Sequence, residues 1–430
     1  MRQRQRLAWM ASLSMAALLL AAACGNDPET KTPTPGDKLN GSVSVVGTWG
    51  GEEQNSFLAM VAPWEKRTGT KVKYTGSRDL NQQLTTGVAA DNLPDVAGMP
   101  GPGSLQDFYD RDALKPLDFV DFEKYKASTP DGFADLGKVE DGKLLGIFIK
   151  AAVKGLVFYN TKGAYKPVPP PKTLEDLNTA TRTGPAKQWC IGLENGAASG
   201  WAATDWVEDI LLRQSGKDVY DRWVEGKQKW SSQEIKKAFQ TFGDALNNAH
   251  GGPKYVNNTA FGKAAKPMFA KPQGCLLHHQ ASFITDFFKN EAGAKDGDYD
   301  FFPFPDIAPE NAGSVTGGGD LMAMFNDTPQ ARSLINYLLT PEAQAIWAQR
   351  GGFVSGNKNV PVDAYPDDIS KKSAEILQNA KTFRFDGSDK MPPAMADAFN
   401  KAMVKFAANQ GDLDSILSSL DKSQADAYEK

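Results

Sequence analysis

Apolar and polar positions alternate in two different ways along the first part of the chain. Residues 43–46 place valines around a serine, which predicts a β-strand. From about Glu52 the apolar residues recur at helical spacing, and Gly69 is placed to end that helix. The stretches "KVKYT", "DLNQQLTTGVAA" and "DVAGM" continue as strand, helix and strand. This rhythm predicts a parallel sheet with helices on both faces.

The predicted strand ends carry a concentration of polar and aromatic side chains. In parallel sheets, ligands bind beyond the carboxyl ends of the strands. The residues that we assign to such ends are Trp49, Glu52, Glu53, Arg78 and Asp95, and they predict one wall of a pocket. Glu52 and Glu53 also occupy a first helical turn, where acids stabilise the helix dipole. Either acid could therefore contact a ligand while the other serves the helix.

The remainder of the chain adds a second, mainly helical region. Residues 142–160 form a β-rich segment with internal glycines, of the kind that leaves one domain and enters another. Residues 201–299 have mainly helical periodicity. A glycine-rich turn between strands follows in "NAGSVTGGGDLMAMF", then two helices that each begin with Thr-Pro, and a further possible crossing in "RGGFVSGNKNV". We therefore expect two α/β domains connected more than once.

The N-terminus has the pattern of a secreted lipoprotein. An arginine-rich start and an apolar run predict a signal peptide over residues 1–23. Small residues directly before Cys24 favour its lipidation, although an ordinary cleaved signal with an incidental cysteine is the alternative. Residues 24–40 are rich in Pro, Thr, Gly and charge, which predicts a flexible tether between the membrane and the folded domains.

Composition narrows the class of function. The net charge of −4 gives no basic face for nucleic acid, so no nucleic-acid partner is expected. Beyond the signal peptide, no run approaches membrane-spanning length. Cys190 and Cys275 are the cysteines that remain besides Cys24. On the oxidising side of a membrane we expect them to form a disulfide, with two buried free thiols as the alternative.

The sequence offers little for metal or nucleophilic chemistry. His278 and His279 are adjacent, and in a strand they would point to opposite faces, which argues against a shared metal ion. The stretches "GFADLGKV" and "GKVEDGKL" resemble phosphate loops but lack the hydroxyl residue that holds magnesium. We therefore expect neither a metal nor a cofactor. A glycosidase, which needs only two suitably separated carboxyl groups, stays open as an alternative.

A set of aromatic, carboxylate and guanidinium side chains in predicted turns favours carbohydrate binding. Sugars present C–H faces that lie on aromatic rings and hydroxyls that pair with carboxylates and guanidinium groups. Each tryptophan also has an alternative role in packing, which is the simpler interpretation where tryptophans sit at helical spacing. The candidate set comprises Trp49, Glu52, Glu53, Arg78, Asp95, Trp201, Asp205, Trp206, Asp320 and Arg350.

Across the mature chain, the sequence resembles a family 1 extracellular solute-binding protein, the maltose-binding type of receptor for ABC sugar importers. The matching stretches, in order, include "GTWGGEEQNSF", "LPDVAGMPGPG", "IKAAVKGLVFYN", "GWAATDWVEDILL", "HHQASFITDFF", "GGGDLMAMF", "LLTPEAQAIWAQRGGFVS" and "KMPPAMADAFNKAMVKF". Within the family it is most similar to actinobacterial α-glucoside binders, which also carry "GWxxTDWVED" and the cysteine pair.

The resemblance implies an α/β fold of the periplasmic-binding-protein type II class. Two lobes, each a central β-sheet flanked by helices, would be joined by a multi-strand hinge. The N-lobe would comprise residues 41–150 plus 313–355, and the C-lobe residues 151–312 plus 356–430. Carried over by motif, Lys150 would stand at the crossing, Phe283 would come from the C-lobe, and Gly318 and Gly319 would lie close to the sugar.

The resemblance also implies a function without chemistry on the ligand. An oligosaccharide or glucoside would bind between the lobes and close them, and the closed form would dock on the transmembrane subunits of an ABC permease. The protein would be a monomer, held by its lipid on the extracellular face of the cell membrane. A secreted glycosidase and a receptor for a non-sugar solute are the alternatives.

Overall fold

The computed structural model describes residues 37–129 and 133–428, which form one compact unit. The signal peptide, Cys24 and most of the predicted tether lie outside the described residues. Among the described residues, no helix combines the length and the apolar character that a membrane crossing requires.

The described strands and helices alternate along much of the chain. The strands are β1 (Ser42–Gly47), β2 (Lys71–Gly76), β3 (Val96–Met99), β4 (Gly146–Val153), β5 (Leu156–Asn160), β6 (Lys187–Trp189), β7 (Cys275–Gln280), β8 (Tyr299–Pro303), β9 (Ser314–Met324), β10 (Val354–Ser355) and β11 (Thr382–Phe385). The helices are α1 (Glu52–Thr68), α2 (Leu80–Ala90), α3 (Leu105–Asp110), α4 (Phe122–Ser128), α5 (Phe133–Leu136), α6 (Leu174–Thr181), α7 (Trp201–Ser215), α8 (Lys217–Val224), α9 (Gln233–Asn247), α10 (Gly252–Asn258), α11 (Lys266–Phe269), α12 (Thr285–Ala292), α13 (Pro329–Leu338), α14 (Pro341–Ala348), α15 (Asp368–Asn379), α16 (Gly387–Lys390), α17 (Pro393–Ala408) and α18 (Leu413–Tyr428).

Several local signals in the sequence fix helix ends as predicted. Helix α1 begins at Glu52 and ends at Thr68, and it is followed by Gly69, whose left-handed backbone a glycine adopts without strain. The hydroxyls of Thr328 and Thr340 accept hydrogen bonds from the backbones of α13 and α14, each with proline at the first position. These caps set where the chain turns back toward the sheets.

The first sheet has seven strands in the order β10-β4-β9-β3-β1-β2, with β11 paired to β9. Strand β1 is parallel to both β2 and β3, which confirms the parallel arrangement expected from the alternating pattern. Strand β9 runs antiparallel to β3 and β4, so that the complete sheet is mixed.

The second sheet has four strands in the order β6-β7-β5-β8. Strand β5 is antiparallel to β7 and β8. Next to this sheet, Cys190 and Cys275 form a disulfide, with their Cα atoms 5.5 Å apart. The bridge confirms the predicted pairing and ties the end of β6 to the start of β7.

Two hydrophobic cores fill the described part of the chain. The first core surrounds the seven-stranded sheet and contains Phe57 and Trp347, and the second core surrounds the four-stranded sheet and contains Phe158 and Phe399. A cavity lies between elements of the two cores. The segments that connect the cores therefore determine the relative positions of the cavity walls.

Three crossing segments connect the cores: β4, β9 and the stretch from β11 into α16. In β4, Ala151 belongs to the first core and Val153 to the second. In β9 the order is reversed, because Val315 packs in the second core and the C-terminal half of the strand in the first. Residues 356–385 still contribute to the first core and include β11 of the first sheet, although the sequence analysis grouped this stretch with the C-lobe.

Candidate functional site

A cavity of about 250 Å³ lies between the two cores. Its walls come from the ends of β1 and β3, from β4 and β9, and from α7, α16 and α17. Most of the predicted binding residues line it: Trp49, Glu53, Arg78, Lys150, Trp201, Asp205, Phe283, Gly318, Gly319 and Asp320. The structure thus brings together residues that are up to 271 positions apart, such as Trp49 and Asp320.

The wall from the first core is built on a buried ion triad. Lys150 Nζ lies 2.6 Å from Glu53 Oε1 and 3.4 Å from Asp320 Oδ2. Burial alone lowers the pKa of Lys150, but the two carboxylates outweigh this effect and raise the pKa above its ordinary value. Lys150 is therefore a charged ammonium whose charge is already neutralised by the protein.

Trp49 positions Asp320 and offers little ring surface to a ligand. Its indole Nε1 donates a 2.7 Å hydrogen bond to Asp320 Oδ2. The ring is only 1% exposed, because it packs against Phe57, Tyr74 and Trp347 with centroid distances of 5.0, 6.1 and 5.1 Å. The glycines that follow Trp49 let β1 turn into α1, which delivers Glu53 to the same wall.

Arg78 extends this wall toward the second core. Its Nη2 lies 3.7 Å from Glu53 Oε2, and its guanidinium lies 5.8 Å from the ring centroid of Phe261. Phe261 belongs to the second core, so that Arg78 contacts both sides of the cavity. This exposed arginine marks the cavity's mouth.

The wall from the second core is centred on Lys154, which the sequence analysis missed. Lys154 Nζ lies 3.0 Å from Asp205 Oδ1, also contacts Asp386, and is 3.7 Å from Asp389 Oδ2. Burial lowers the pKa of Lys154, but the surrounding carboxylates outweigh it and raise the pKa well above its ordinary value. A signal was present, because Lys150 and Lys154 are four residues apart and share one face of an extended segment.

Two buried oxygens in this wall have no partner in the described part of the chain: Asp205 Oδ2 and Asn400 Oδ1. Burial, together with nearby Asp386 and against the effect of Lys154, raises the pKa of Asp205 to about 7. The two residues are brought together at Gly200, where a Cβ atom would stand 2.1 Å from the carbonyl oxygen of Asn400. Glycine at this position lets α17 approach the start of α7.

Aromatic rings complete the second wall. The Trp201 ring lies 4.9 Å from Phe261 and 6.1 Å from Phe283, and it is partly exposed. Lys150 Nζ lies 5.5 Å from the Phe283 ring centroid, across the cavity. Trp201 is thus the tryptophan whose ring surface is best placed for stacking.

A side chain at Gly319 would collide with the backbone of β4, and a side chain at Gly318 would crowd the Lys154 side chain. A Cβ at Gly318 would stand 3.2 Å from Lys154 Cε, and one at Gly319 would stand 2.6 Å from the Lys150 carbonyl oxygen. The two glycines therefore allow the tight pairing that places both lysines at the cavity.

Asp95 lies away from the cavity, contrary to expectation. It precedes β3, and its Oδ2 accepts hydrogen bonds from Ser44 N at 2.7 Å and Ser44 Oγ at 2.8 Å. Ser44 lies in the early part of β1, and the two strands are parallel. Asp95 thus belongs to the amino end of β3, whereas the cavity lies past the carboxyl ends.

Trp206, Glu52 and Arg350 also lie outside the cavity wall. Trp206 is 2% exposed and packs in the second core, with its ring 4.6 Å from that of Trp189. Arg350 Nε donates to Ser56 Oγ at 2.9 Å, and its Nη2 lies 3.9 Å from Glu52 Oε2. Of the two adjacent acids, Glu53 therefore lines the cavity while Glu52 lies on the exposed side of α1.

The adjacent histidines serve separate contacts. His278 Nδ1 lies 2.8 Å from the carbonyl oxygen of Cys190, and His279 Nε2 lies 3.0 Å from Asp209 Oδ2. Within residues 37–129 and 133–428, no group of three or more His, Cys, Asp or Glu is arranged to hold a metal ion.

Both the sequence and the fold of this chain are similar to those of known solute-binding proteins. Residues 59–379 match the family described as bacterial extracellular solute-binding protein. The α-glucosides-binding periplasmic protein AglE of Rhizobium meliloti (strain 1021) is 37% identical over 401 residues, covering 88% of this chain and 86% of AglE.

A second relative and a solved structure extend the comparison. The osmoprotective compounds-binding protein GgtB of Synechocystis sp. (strain ATCC 27184 / PCC 6803 / Kazusa) is 34% identical over 397 residues, covering 90% of this chain and 93% of GgtB. The crystal structure of the bacterial solute receptor AcbH superposes with a TM-score of 0.75 at 20% identity, covering 91% of this chain and 99% of AcbH. The fold is that of the type II periplasmic binding proteins, as the sequence predicted.

Proposed function

We propose that this chain is the sugar receptor of an ABC importer. The premise is that it belongs to the family of bacterial extracellular solute-binding proteins. It would capture a carbohydrate, most simply an α-glucoside, in the cavity between the two cores. The loaded protein would then deliver the sugar to a membrane permease. The proposal names no reaction on the ligand, in keeping with relatives that are described as binding proteins.

The observation that carries the proposal is the pair of unpartnered oxygens next to an aromatic platform. Within the described residues, Asp205 Oδ2 and Asn400 Oδ1 are buried acceptors without a donor, which costs free energy unless a ligand supplies one. Both residues line the cavity together with the Trp201 and Phe283 rings. A sugar offers hydroxyl donors to the oxygens and C–H faces to the rings.

The ion pairs of the cavity disfavour an anionic ligand. Lys150 is paired with Glu53 and Asp320, and Lys154 is paired with Asp205 and two further carboxylates. Neither ammonium is therefore available to balance an anionic solute.

The names of the relatives support α-glucosides as the first class to test. AglE is named for α-glucosides, whereas GgtB is named for osmoprotective compounds, and the two are similarly related to this chain. The lining is compatible with this class, because sugar hydroxyls can pair with its carboxylates and its guanidinium group.

Binding would close the two lobes by population shift. The sugar would contact Lys150 and Asp320 from the first core and Asp205 and Trp201 from the second only when the walls approach each other. A near-complete shift from open to closed requires on the order of 5 kcal/mol of differential binding. The lobes would follow the predicted boundaries, except that residues 356–385 would move with the first core, to which they contribute.

The lipid anchor is a separate part of the proposal. Cys24 would be acylated and would hold a monomeric receptor on the extracellular face of the membrane. Metabolic labelling with a radioactive fatty acid tests this directly. Label in the wild type and none in Cys24→Ala is the expected result, and unlabelled wild-type protein would rule the anchor out.

The sugar proposal is tested by thermal shift and calorimetry with purified protein. Ligands that bind only the folded state raise the melting temperature, so α-linked disaccharides and oligosaccharides are expected to raise it more than β-linked ones. Asp205→Asn should weaken binding of the best sugar at least tenfold, whereas the matched Asp95→Asn outside the cavity should leave it unchanged. If no saccharide raises the melting temperature, the proposal fails.

A product assay separates the receptor from a glycosidase. The protein is incubated with the sugar that it binds, and the mixture is analysed for released glucose. Intact sugar is expected, and stoichiometric or catalytic release would favour the enzyme instead.

A further inference from the structure

Helix α7 carries three buried carboxylates within five residues: Asp205, Glu208 and Asp209. They are 3%, 1% and 0% exposed. Buried carboxylates are costly unless each is satisfied by hydrogen bonds or cations. Each of these three is bound to a different one of the crossing segments, β4, β9 and the stretch from β11 into α16.

Glu208 holds the crossing that follows β11. Its Oε2 accepts the backbone N–H of Gly387 at 2.8 Å, and its Oε1 accepts that of Ser388 at 3.2 Å. These two donors begin α16, directly after the strand that pairs with β9. A helix of the second core thus grips the chain where it leaves the first sheet.

Asp209 holds the crossing in β9. Its Oδ1 accepts a 2.7 Å hydrogen bond from Thr316 Oγ1, and its Oδ2 lies 3.0 Å from His279 Nε2. Arg213, one turn further along α7, also contacts Asp209 Oδ1. The carboxylate lies so close to Gly155 that a Cβ there would stand 2.3 Å from it.

Asp205 reaches the first crossing through Lys154, the residue that follows β4. The side chain of Lys154 binds Asp205, and its backbone N–H donates to the Thr316 carbonyl oxygen at 2.9 Å. The ends of β4 and β9 are therefore bound to each other and to one helix. Asp205 also lines the cavity, so that the same helix contacts the cavity and the crossings.

We propose that Glu208 and Asp209 are positioning residues that clamp the crossing segments to the second core, and that bending between the lobes is confined to the short stretch beyond the clamp. This rests on the proposed function, because it assumes that the lobes open and close. The clamped side ends at Thr316 and Lys154.

The stretch beyond the clamp has the features of a bending zone. In β9 it contains the consecutive glycines Gly317–Gly319, which have no side chain to resist rotation. In β4 it lies next to a register irregularity between Phe148 and Lys150. Beyond it, Leu321 is fully buried in the first core. A ligand that binds Asp205 and displaces it would thus move α7 and the clamped ends of all three crossing segments as one rigid body.

Hydrogen exchange of the ligand-free, full-length protein tests the clamp without any sugar. The reporters are the backbone amides of Lys154 and Gly387, which lie at two crossings. Asp209→Asn and Glu208→Gln each remove an acceptor and are expected to speed exchange at the nearby reporter about tenfold. Amides of α18, which packs in the second core through Ile416 and Leu417, should change far less.

Two matched substitutions separate positioning from general destabilisation. Thr316→Val removes the hydroxyl that Asp209 accepts and should reproduce the effect of Asp209→Asn, while Thr316→Ser keeps the hydroxyl and should behave as the wild type. Gln214→Ala alters the same helix but removes contacts to Ser215, Glu234 and Thr241, which lie outside the crossing segments. It should leave the Lys154 and Gly387 amides unchanged.

Small-angle X-ray scattering supplies the second readout. The clamp variants should show a larger radius of gyration than the wild type when ligand-free, because their lobes sample more open positions. Equal exchange rates in Thr316→Val and wild type, or uniform acceleration throughout the second core, would overturn the clamp. Absence of sugar binding by the wild type would defeat the proposed function, yet these ligand-free measurements would still decide the clamp.

Discussion

Lys150 Nζ on β4 lies 2.6 Å from Glu53 Oε1 in the first turn of α1. The contact joins the helix that follows β1 to a strand that crosses between the cores. It lies in the cavity wall that belongs to the first core. Because both side chains are buried, the pair is held without much competition from water. This wall of the cavity is therefore preformed by the protein.

The first prediction concerns this pair. Lys150→Met should lower the free energy of unfolding by about 3–5 kcal/mol, because it leaves the buried Glu53 and the partly buried Asp320 without their shared cation. Urea denaturation at neutral pH measures the loss. The double variant Lys150→Met/Glu53→Gln should regain part of the stability, and a double variant no more stable than the single one would show that the two charges are not coupled.

The second prediction separates the two tryptophans of α7. Trp201→Ala should reduce sugar affinity about tenfold with little loss of stability, because this ring is partly exposed in the cavity. Trp206→Ala should instead cost about 3–5 kcal/mol of stability, because that ring is buried in the second core. Calorimetry on the folded fraction and thermal melts distinguish the two effects.

The opposite pattern would contradict the cavity assignment. A Trp206→Ala protein that melts like the wild type but has lost its affinity would place the sugar beside Trp206. That result would support the sequence-based set over the structure-based one.

The third prediction concerns the disulfide between Cys190 and Cys275. It closes a loop of 85 residues, for which chain entropy predicts a contribution of about 4.6 kcal/mol. Cys190→Ala/Cys275→Ala should lose stability on that order while keeping its sugar affinity, since neither sulfur lines the cavity. Reduction of the disulfide in the wild type under matched conditions should reproduce the loss of stability. A loss of sugar affinity as well would contradict the prediction that the disulfide does not affect the cavity.

The sequence predicts one wall of the site better than the other. Trp49, Glu53 and Arg78 lie close after predicted strands, and the rule that ligands bind past carboxyl ends applies to them. Asp95 was misplaced because the same rule was applied to a residue that precedes its strand. Its carboxylate binds Ser44 at the other edge of the sheet.

The second wall depends on contacts that a local pattern does not encode. Asn400 reaches the cavity only because Gly200 lets α17 lie against α7, and Asp389 arrives from a third crossing. Such pairs depend on tertiary packing between segments almost 200 residues apart. Trp201 and Trp206 likewise lie on the same helix, and their positions around α7 separate a cavity residue from a core residue.

The fourth prediction concerns the pH dependence of stability and the buried His278. Burial, opposed by the Cys190 carbonyl and aided by His279, lowers the pKa of His278 to about 4. In the unfolded chain the same imidazole takes up a proton near pH 6.5. Stability from this group is therefore fully present above pH 6.5 and is lost as the pH falls toward 4, by about 2 kcal/mol between pH 7 and pH 5.

Comparison with His278→Asn isolates this contribution. Asparagine can keep a donor for the Cys190 carbonyl but does not titrate, so this variant should lose about 2 kcal/mol less than the wild type between pH 7 and pH 5. Asp286, whose pKa is raised to about 6 mainly by burial, acts in the opposite direction and cancels because both proteins contain it. Urea unfolding at the two pH values measures the difference. Equal losses in the two proteins would mean that His278 is not kept neutral by burial, and the acid sensitivity would then have to come from other buried groups.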